Sequence, residues 1–556
     1  MNFELHTRHI PREHLREDSV MGRMVIDNGM CDILQPDILK QLKDCGVSCI
    51  ETRLTWHELE VSPGRYDWSR FDRDAEKILA GGITLGVFPW FHHPPAWENS
   101  LVRLSSLEQK KDGIPSLWDQ RLLEVYDRLY GKLREHCGND IGYLGCCDYG
   151  DYGEILFPIG IKHYKSLPPG LTIGHWSNDP LARKSFAGFL RKRYHEDLSL
   201  LNSAWETSFG SWEEDMMIRL PFHSNSLKRR IDFGTWYVGS LENFADHALG
   251  IARRHFPDVP AGVPIGATFE GLTSGQIKSR SARLAAKYHM DARWCALARF
   301  QDDVRKSLVL SRRLSAAARF YGTTYASESA LGTPYHLQGL FELEADAGRV
   351  LQVDPYDLLK AKETYLREKP FIRPDRKVRT APAAVFYPVE GELYQCLNGD
   401  CDEAPPLQDA SEGQAFRFRE PIEDVFDRFM KVAKSFDFDF TDSTLIADGM
   451  LENYNMLLFP ASMPVPENCA EQIGAWAKRG GRILIGADCH VRILETGKSL
   501  PTYAAERGFP VELAATFPAF AEYEKLHAEF GTDAVITLFD DGGIAYLPAS
   551  GEIKHW

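Results

Sequence analysis

Glu154, in DYGDYGEILFP, and Glu328, in YASESALG, each stand where a β-rich run of residues gives out, 174 positions apart (328 − 154). Two carboxyl groups brought face to face could hydrolyse a glycosidic bond. One, protonated, donates to the leaving oxygen; the other, ionised, attacks or stabilises the anomeric carbon. Their surroundings must then push their pKa values apart. Either glutamate alone reads as a solvated loop residue or half of an ion pair, so the argument rests on the two together. Asp148 and Asp151 lie just before Glu154. Either could hold the Glu154 proton on by like-charge repulsion, or simply cap a turn.

Such a pair needs elements that bring distant positions together. From about residue 20 to 355 the chain alternates strand and helix. The β-rich runs are RMVIDNG (23–29), VSCIETRL (47–54), ITLGVFPWF (83–91), IGYLGCCDYG (141–150), AGVPIGATFEG (261–271), MDARWCALA (290–298), YGTTYASES (321–329) and RVLQVDP (349–355). Amphipathic stretches at 69–80, 119–136, 234–255, 275–287 and 300–319 follow several of them. Alternation means parallel strands with helices outside, and eight units mean a closed (β/α)8 barrel. Its active site lies at the C-terminal strand ends. Glu154 then follows the fourth strand and Glu328 ends the seventh, nearly opposite one another. Arg53 and Trp56 follow the second strand, Trp90, His92 and His93 the third and Glu270 the fifth, while Trp294 lies in the sixth. Arg and His can donate to sugar hydroxyls and Trp can stack on an apolar sugar face. One of the two histidines reads equally as a bonded loop residue, and Trp294 equally as core. The long stretch from Tyr152 to about Pro221, with helical patterns at 180–194 and 199–206, reads as an insertion shaping the site.

Pro and charge around REKPFIRPDRKVRTAP (367–382) mark a boundary. The expected division is a barrel over 1–380, a doubly wound domain over 381–502 and a small antiparallel β domain over 503–556. In the second unit PAAVFYP (382–388), YNMLLFPA (454–461) and GRILIGAD (481–488) read as strands and 466–479 as a helix.

The composition excludes other classes. A net charge of −15 repels phosphate backbones, so nucleic acid is not an expected partner. No run approaches the ~20 apolar residues that span a bilayer, and the polar start MNFELHTRHIPREHLRED does not read as a signal peptide. The 11 cysteines are irregularly spaced and form no CxxC, which points to free thiols and a reducing cytoplasm. Cys396 and Cys401 are the weak candidates for zinc; otherwise no metal and no cofactor are expected. No G-x-S-x-G elbow, H-E-x-x-H or G-x-G-x-x-G occurs in a fitting context, and Arg492 stands where a P-loop ending at Gly497-Lys498-Ser499 needs its first glycine.

The run RLTWHELEVSPGRYDWSRFDRDAEKILAGGITLGVFPWFHHPPAW resembles the second and third βα units of glycoside hydrolase family 42, the β-galactosidases. FLRKRYHEDLSLLNSAWETSF (189–209) is similar to that family's R-x-R-Y and LN-x-A-W segment. FYPVEGELY and LIADGMLENYNMLLFPASM look like its flavodoxin-like trimerisation domain. The resemblance implies Glu154 as acid/base, Glu328 as nucleophile, Arg53 in the sugar site, a carbohydrate substrate and a homotrimer. Gly153 stands where the family usually has the Asn that bonds the sugar 2-hydroxyl, and the family's zinc-binding Cys cluster is not apparent. GEILFP (153–158) also resembles the GELRYP of the inverting β-amylases. The expectation is therefore a divergent family-42-like retaining β-glycosidase or a neighbour with β-mannosidase activity. An inverting amylase-like hydrolase and a non-catalytic sugar-binding barrel are the alternatives.

Overall fold

The computed structural model describes residues 23–26, 34–109, 111–146, 149–150, 153–158, 175–220, 222–266, 271–272, 274–295, 304–328, 350–352, 358–359, 362–363, 377–393, 421–547 and 554–555. Eight parallel strands close a barrel. They are β1 (Arg23–Ile26), β2 (Cys49–Thr55), β3 (Thr84–Trp90), β4 (Ile141–Gly145), β5 (Ala261–Ile265), β6 (Asp291–Trp294), β7 (Tyr325–Glu328) and β8 (Val350–Gln352). Seven fall inside the β-rich runs, and β2 overruns its run by one residue, Thr55. Around them lie α1 (Pro36–Asp44), α2 (Ser69–Ala80), α3 (Arg121–Cys137), α6 (Leu227–His255), α7 (Lys278–Lys287) and α8 (Val304–Tyr321). The helices form because their apolar residues recur on one stripe. In α2 the buried set is Phe71, Ala75 and Ile78, at i, i+4 and i+7. Burying Phe71 and Ile78 contributes about 1.5–3 kcal/mol each.

Strand alternation separates the two faces of the barrel wall. Phe91, just past β3, meets Tyr130 of α3 edge to face at 5.0 Å, so its parity faces the helices. Phe88 and Trp90 take the other parity and face the interior. There Arg293 of β6 crosses the barrel to Glu51 of β2, with Nη1 at 3.0 and 2.9 Å from the two carboxylate oxygens. Both side chains have zero exposure, and the guanidinium lies 4.9 Å over Phe88. Breaking a buried pair from one side leaves a charge without its counter-ion. Glu51→Ala is expected to cost about 3–5 kcal/mol, read as a lower urea midpoint at unchanged slope. The double replacement Glu51→Leu/Arg293→Met should recover most of it; a single variant as stable as the parent would contradict this account.

After β4 the chain makes an excursion containing α4 (Pro180–Arg193) and α5 (Leu198–Trp205). Asp179 and Asp197 cap them, each accepting from two backbone N–H groups. Buried Asp232 of α6 ties both down, accepting from Tyr194 Oη and from Trp205 Nε1. Residues 159–174 of this insertion lie outside the described residues.

A second sheet follows, built from β9 (Ala384–Phe386), β10 (Asp439–Thr441), β11 (Met456–Phe459), β12 (Arg482–Gly486) and β13 (Glu512–Ala514). Its order, β10-β9-β11-β12-β13, is the 2-1-3-4-5 order of flavodoxin-like folds. The sheet extends past residue 502, the expected end of this unit, because β13 is an edge strand. Its Glu512 and Leu513 are exposed and give little apolar signal. Helices α9 (Pro421–Ala433), α10 (Ser443–Ala447) and α11 (Glu467–Lys478) flank it. Barrel helices α7 and α8 dock here: Arg312 of α8 meets Asp437 in a buried pair, Arg319 meets Asp439, Tyr321 donates to Asp448 at 2.7 Å, and Arg283 of α7 reaches the same Asp448 at 3.1 Å. The chain ends with α12 (Ala521–Phe530) and an antiparallel sheet of β14 (Val535–Leu538), β15 (Ile544–Leu547) and β16 (Lys554–His555). The described cysteines, Cys45, Cys49, Cys137, Cys146, Cys295, Cys469 and Cys489, are all buried. Cys31, Cys147, Cys396 and Cys401 lie outside the described residues. Among the described residues no helix is long and apolar enough to cross a membrane.

Candidate active site

The C-terminal end of β3 supplies the densest cluster. Register pairs Arg53 with Phe88 and Thr55 with Trp90, so the Arg53 guanidinium comes to lie 4.5 Å over the Trp90 ring. Past the strand, His92 and His93 pack 4.0 Å apart, with Trp90 at 6.0 and 5.6 Å from them. Arg53, Trp90, His92 and His93 are all buried. His57 joins them, its amide donating to the His93 carbonyl at 3.1 Å. Behind β2, Arg70 of α2 braces the strand end, donating to the Arg53 carbonyl at 3.0 Å and to Glu58 at 2.9 Å. Trp56, from the outward parity of β2, donates to Glu60 at 2.7 Å, and Arg128 pairs with the same carboxylate at 2.8 Å. His57, Arg70 and Phe88 carried no signal in the sequence, because each acts through neighbours that only the fold brings close.

Glu154 is fastened beside this cluster. Gly153 adopts φ +79°, and a methyl group there would fall 2.7 Å from Trp90 Nε1 and 2.9 Å from the Phe88 ring. Only glycine allows that approach together with that φ. Asparagine, the residue expected by resemblance at this position, would meet the same obstruction. Gly153→Ala is expected to cost about 1–3 kcal/mol in strain, measured by chemical denaturation; no loss would mean that the Trp90 contact yields freely. On the other side, a methyl at Gly266 would lie 2.9 Å from Glu154 Cγ. The Glu154 side chain therefore stands between the ends of β3 and β5, in a residue only 8% exposed. Its backbone runs on like an added strand, with Ile155 N donating to Pro264 at 3.0 Å and Phe157 N to Ser274 at 2.8 Å.

Glu328 is the last residue of β7 and registers with Gln352 of β8. It lies two positions beyond Ala326, the partner of Arg293, so its register position has the interior parity. Trp294 does not join the cluster. It takes the parity opposite to Arg293 and packs under the Lys278 ammonium of α7 at 4.8 Å. That places it on the helix side of the wall, where it fills the core. Asp148, Asp151 and Glu270 lie outside the described residues.

Burial governs the charges here. Desolvation pushes His92 down to about 3. It pushes His93 well below the ordinary range, with His92, His57 and Arg53 adding to the shift. Both rings are neutral at physiological pH and can serve as hydrogen-bonding or packing groups, not as cations. Between about pH 3 and the unfolded value of 6.5 the unfolded chain therefore holds a proton that folded His92 refuses. Stability falls as pH falls through that window, by about 1.4 kcal/mol per unit for one such ring. Denaturant midpoints from pH 7.5 to about 5 should drop for the parent and drop less steeply for His92→Gln. Equal slopes would show that His92 is not buried neutral.

The barrel thus carries a glutamate, an arginine and an indole at its C-terminal strand ends. No family model matches the chain. In sequence it is similar to the β-galactosidase LacZ of Heyndrickxia coagulans, 24% identical over 239 residues, covering 40% of this chain and 33% of that protein. The chain matches between a fifth and a third of the length of the curated β-galactosidases it resembles. In fold it is similar to a GH42 β-galactosidase from G. stearothermophilus, with TM-score 0.61, 14% identity and coverage of 97% of this chain and 80% of that one. The catalytic domain of a β-amylase from Paenibacillus polymyxa matches with TM-score 0.50 and 17% identity, covering 64% of this chain and 98% of that one. The chain thus resembles β-galactosidases over part of its sequence and a GH42 β-galactosidase in fold.

Proposed function

We propose that this protein is a retaining, exo-acting β-glycosidase of β-galactosidase type. Glu154 is its acid/base, Glu328 its nucleophile, and Arg53, Trp90, His92 and His93 contact the sugar. The observation that carries this reading is Glu154, a buried residue beyond the end of β4, one position after the glycine that abuts Trp90 and with its side chain against Gly266 at the end of β5. Glu328, at the end of a strand nearly opposite, suits the second carboxyl of a double displacement. The β-galactosidases named above support the substrate class. With this reading go a homotrimer, assembled through the flavodoxin-like domain, and a cytoplasmic location, with which the buried thiols are compatible.

A panel of nitrophenyl glycosides, with product configuration followed by proton NMR, tests the reading. A β-galactoside giving β-galactose first supports it, and a β-mannoside cleaved with retention moves the glycone only. An inverted product would favour an amylase-like mechanism, and silence across the panel a barrel that binds without cleaving. Light scattering at three times the 63.0 kDa chain mass would support the trimer.

A further inference from the structure

The residue after Glu154 is held as firmly as the one before it. Gln276 lies in the turn that leads into α7 and is 1% exposed. Its Nε2 donates to the Ile155 carbonyl at 2.6 Å. The same turn grips the next residues: Ser274 O accepts from Phe157 N at 2.8 Å. At Gly275, φ +67°, a methyl would fall 2.5 Å from the Phe157 ring. Phe157 in turn stacks on Tyr237 of α6 at 4.1 Å. Trp90 against Gly153 and Gln276 on Ile155 therefore bracket Glu154. Only the second is a side-chain bond from another part of the chain. The turn itself is fixed from outside the barrel, since Arg280 in the first turn of α7 donates to Thr444 of α10 at 3.3 Å.

We propose that Gln276 is a positioning residue that sets where the Glu154 carboxyl stands relative to the leaving oxygen, through the Ile155 carbonyl. The inference rests on Glu154 being the acid/base. A general acid works only within about 2.6–3.2 Å of the atom it protonates, and an error of about 1 Å in a catalytic group can cost ~10²-fold. Gln276 touches no substrate and acts only through this backbone bond. Methionine at this position keeps the length and volume and loses the donor.

The test compares Gln276→Met with Glu154→Ala on the phenyl and 2,4-dinitrophenyl β-glycosides of the sugar that the parent cleaves. Gln276→Met is expected to lower kcat/KM, which reports the first step, for the phenyl glycoside by ~10–100-fold, the scale of a misplaced catalytic group. The dinitrophenyl leaving group needs no protonation, so kcat/KM for that glycoside should change by less than about threefold. The alkaline limb of the pH profile should move as well, which a purely structural lesion would not do. Gln276→Leu, which also lacks a donor, should show the same split and serves if Gln276→Met does not fold. Equal losses on both substrates, or no loss, overturn the proposal when Glu154→Ala itself shows the split. Equal losses in Glu154→Ala overturn the acid/base reading instead. A parent that cleaves neither overturns both.

Discussion

Glu328→Ala is expected to abolish turnover of every substrate the protein cleaves, by roughly 10⁴-fold or more, the scale on which loss of a covalent nucleophile acts. The effect does not depend on the leaving group, because alanine offers no oxygen to the anomeric carbon whatever departs from it. Glu328 ends β7 in register with Gln352, so its replacement removes no strand pairing and the fold should persist. Azide makes the expectation sharper. A small anion can enter the space left by the carboxylate and attack an activated glycoside from the nucleophile's face, giving an α-glycosyl azide from a β-substrate. Circular dichroism equal to the parent, loss of hydrolysis and an α-azide product together would fix Glu328 in this role. A variant within tenfold of the parent would place the nucleophile elsewhere.

The residues that made this reading possible from sequence are those whose signal is local. The barrel strands were legible because runs such as ITLGVFPWF and AGVPIG concentrate β-formers at spacings that helices then fill. Glu154 stood out because its run ends there. What escaped depends on partners far away in the chain. The strand Asp439–Thr441 is one such element, since alternating Phe and Asp in FDFDF (436–440) resembles a half-solvated segment. Asp437 and Asp439 are buried, since Arg312 and Arg319 reach them across 125 and 120 positions. The Glu51–Arg293 pair closes over 242 positions, and no spacing rule connects two residues on opposite sides of a barrel. Trp294 illustrates the converse. A tryptophan in a barrel strand suggests a sugar platform, yet parity alone decides which face it takes, and Arg293 beside it holds the interior. The glycine before Glu154 was legible as a departure from the family pattern. Its cause, contact with Trp90 and Phe88 at positive φ, was not.

Glu154→Ala is expected to act selectively, and the selectivity identifies the role. For a phenyl β-glycoside, whose leaving group must be protonated, kcat/KM should fall by ~10²–10⁴-fold, the usual contribution of a general acid. For the 2,4-dinitrophenyl glycoside the first step should stay close to the parent rate, because the departing phenolate is already stable. The second step then suffers, since no base remains to activate water. The glycosyl-enzyme accumulates, and a burst of dinitrophenolate should precede a slow steady state. The alkaline limb of the pH profile, which reports the acid losing its proton, should disappear. Azide again reports the geometry: it attacks the accumulated intermediate from the vacated side and gives a β-glycosyl azide, opposite in configuration to the product from Glu328→Ala. Glu154 is only 8% exposed, between Gly153 against Trp90 and Gly266 of the β5 end. Alanine there leaves a small space that azide can occupy while the strand-like bonds of Ile155 and Phe157 persist. Equal losses on the two glycosides, with no burst, would remove Glu154 from the acid/base role and leave it as a buried carboxyl that shapes the mouth of the barrel.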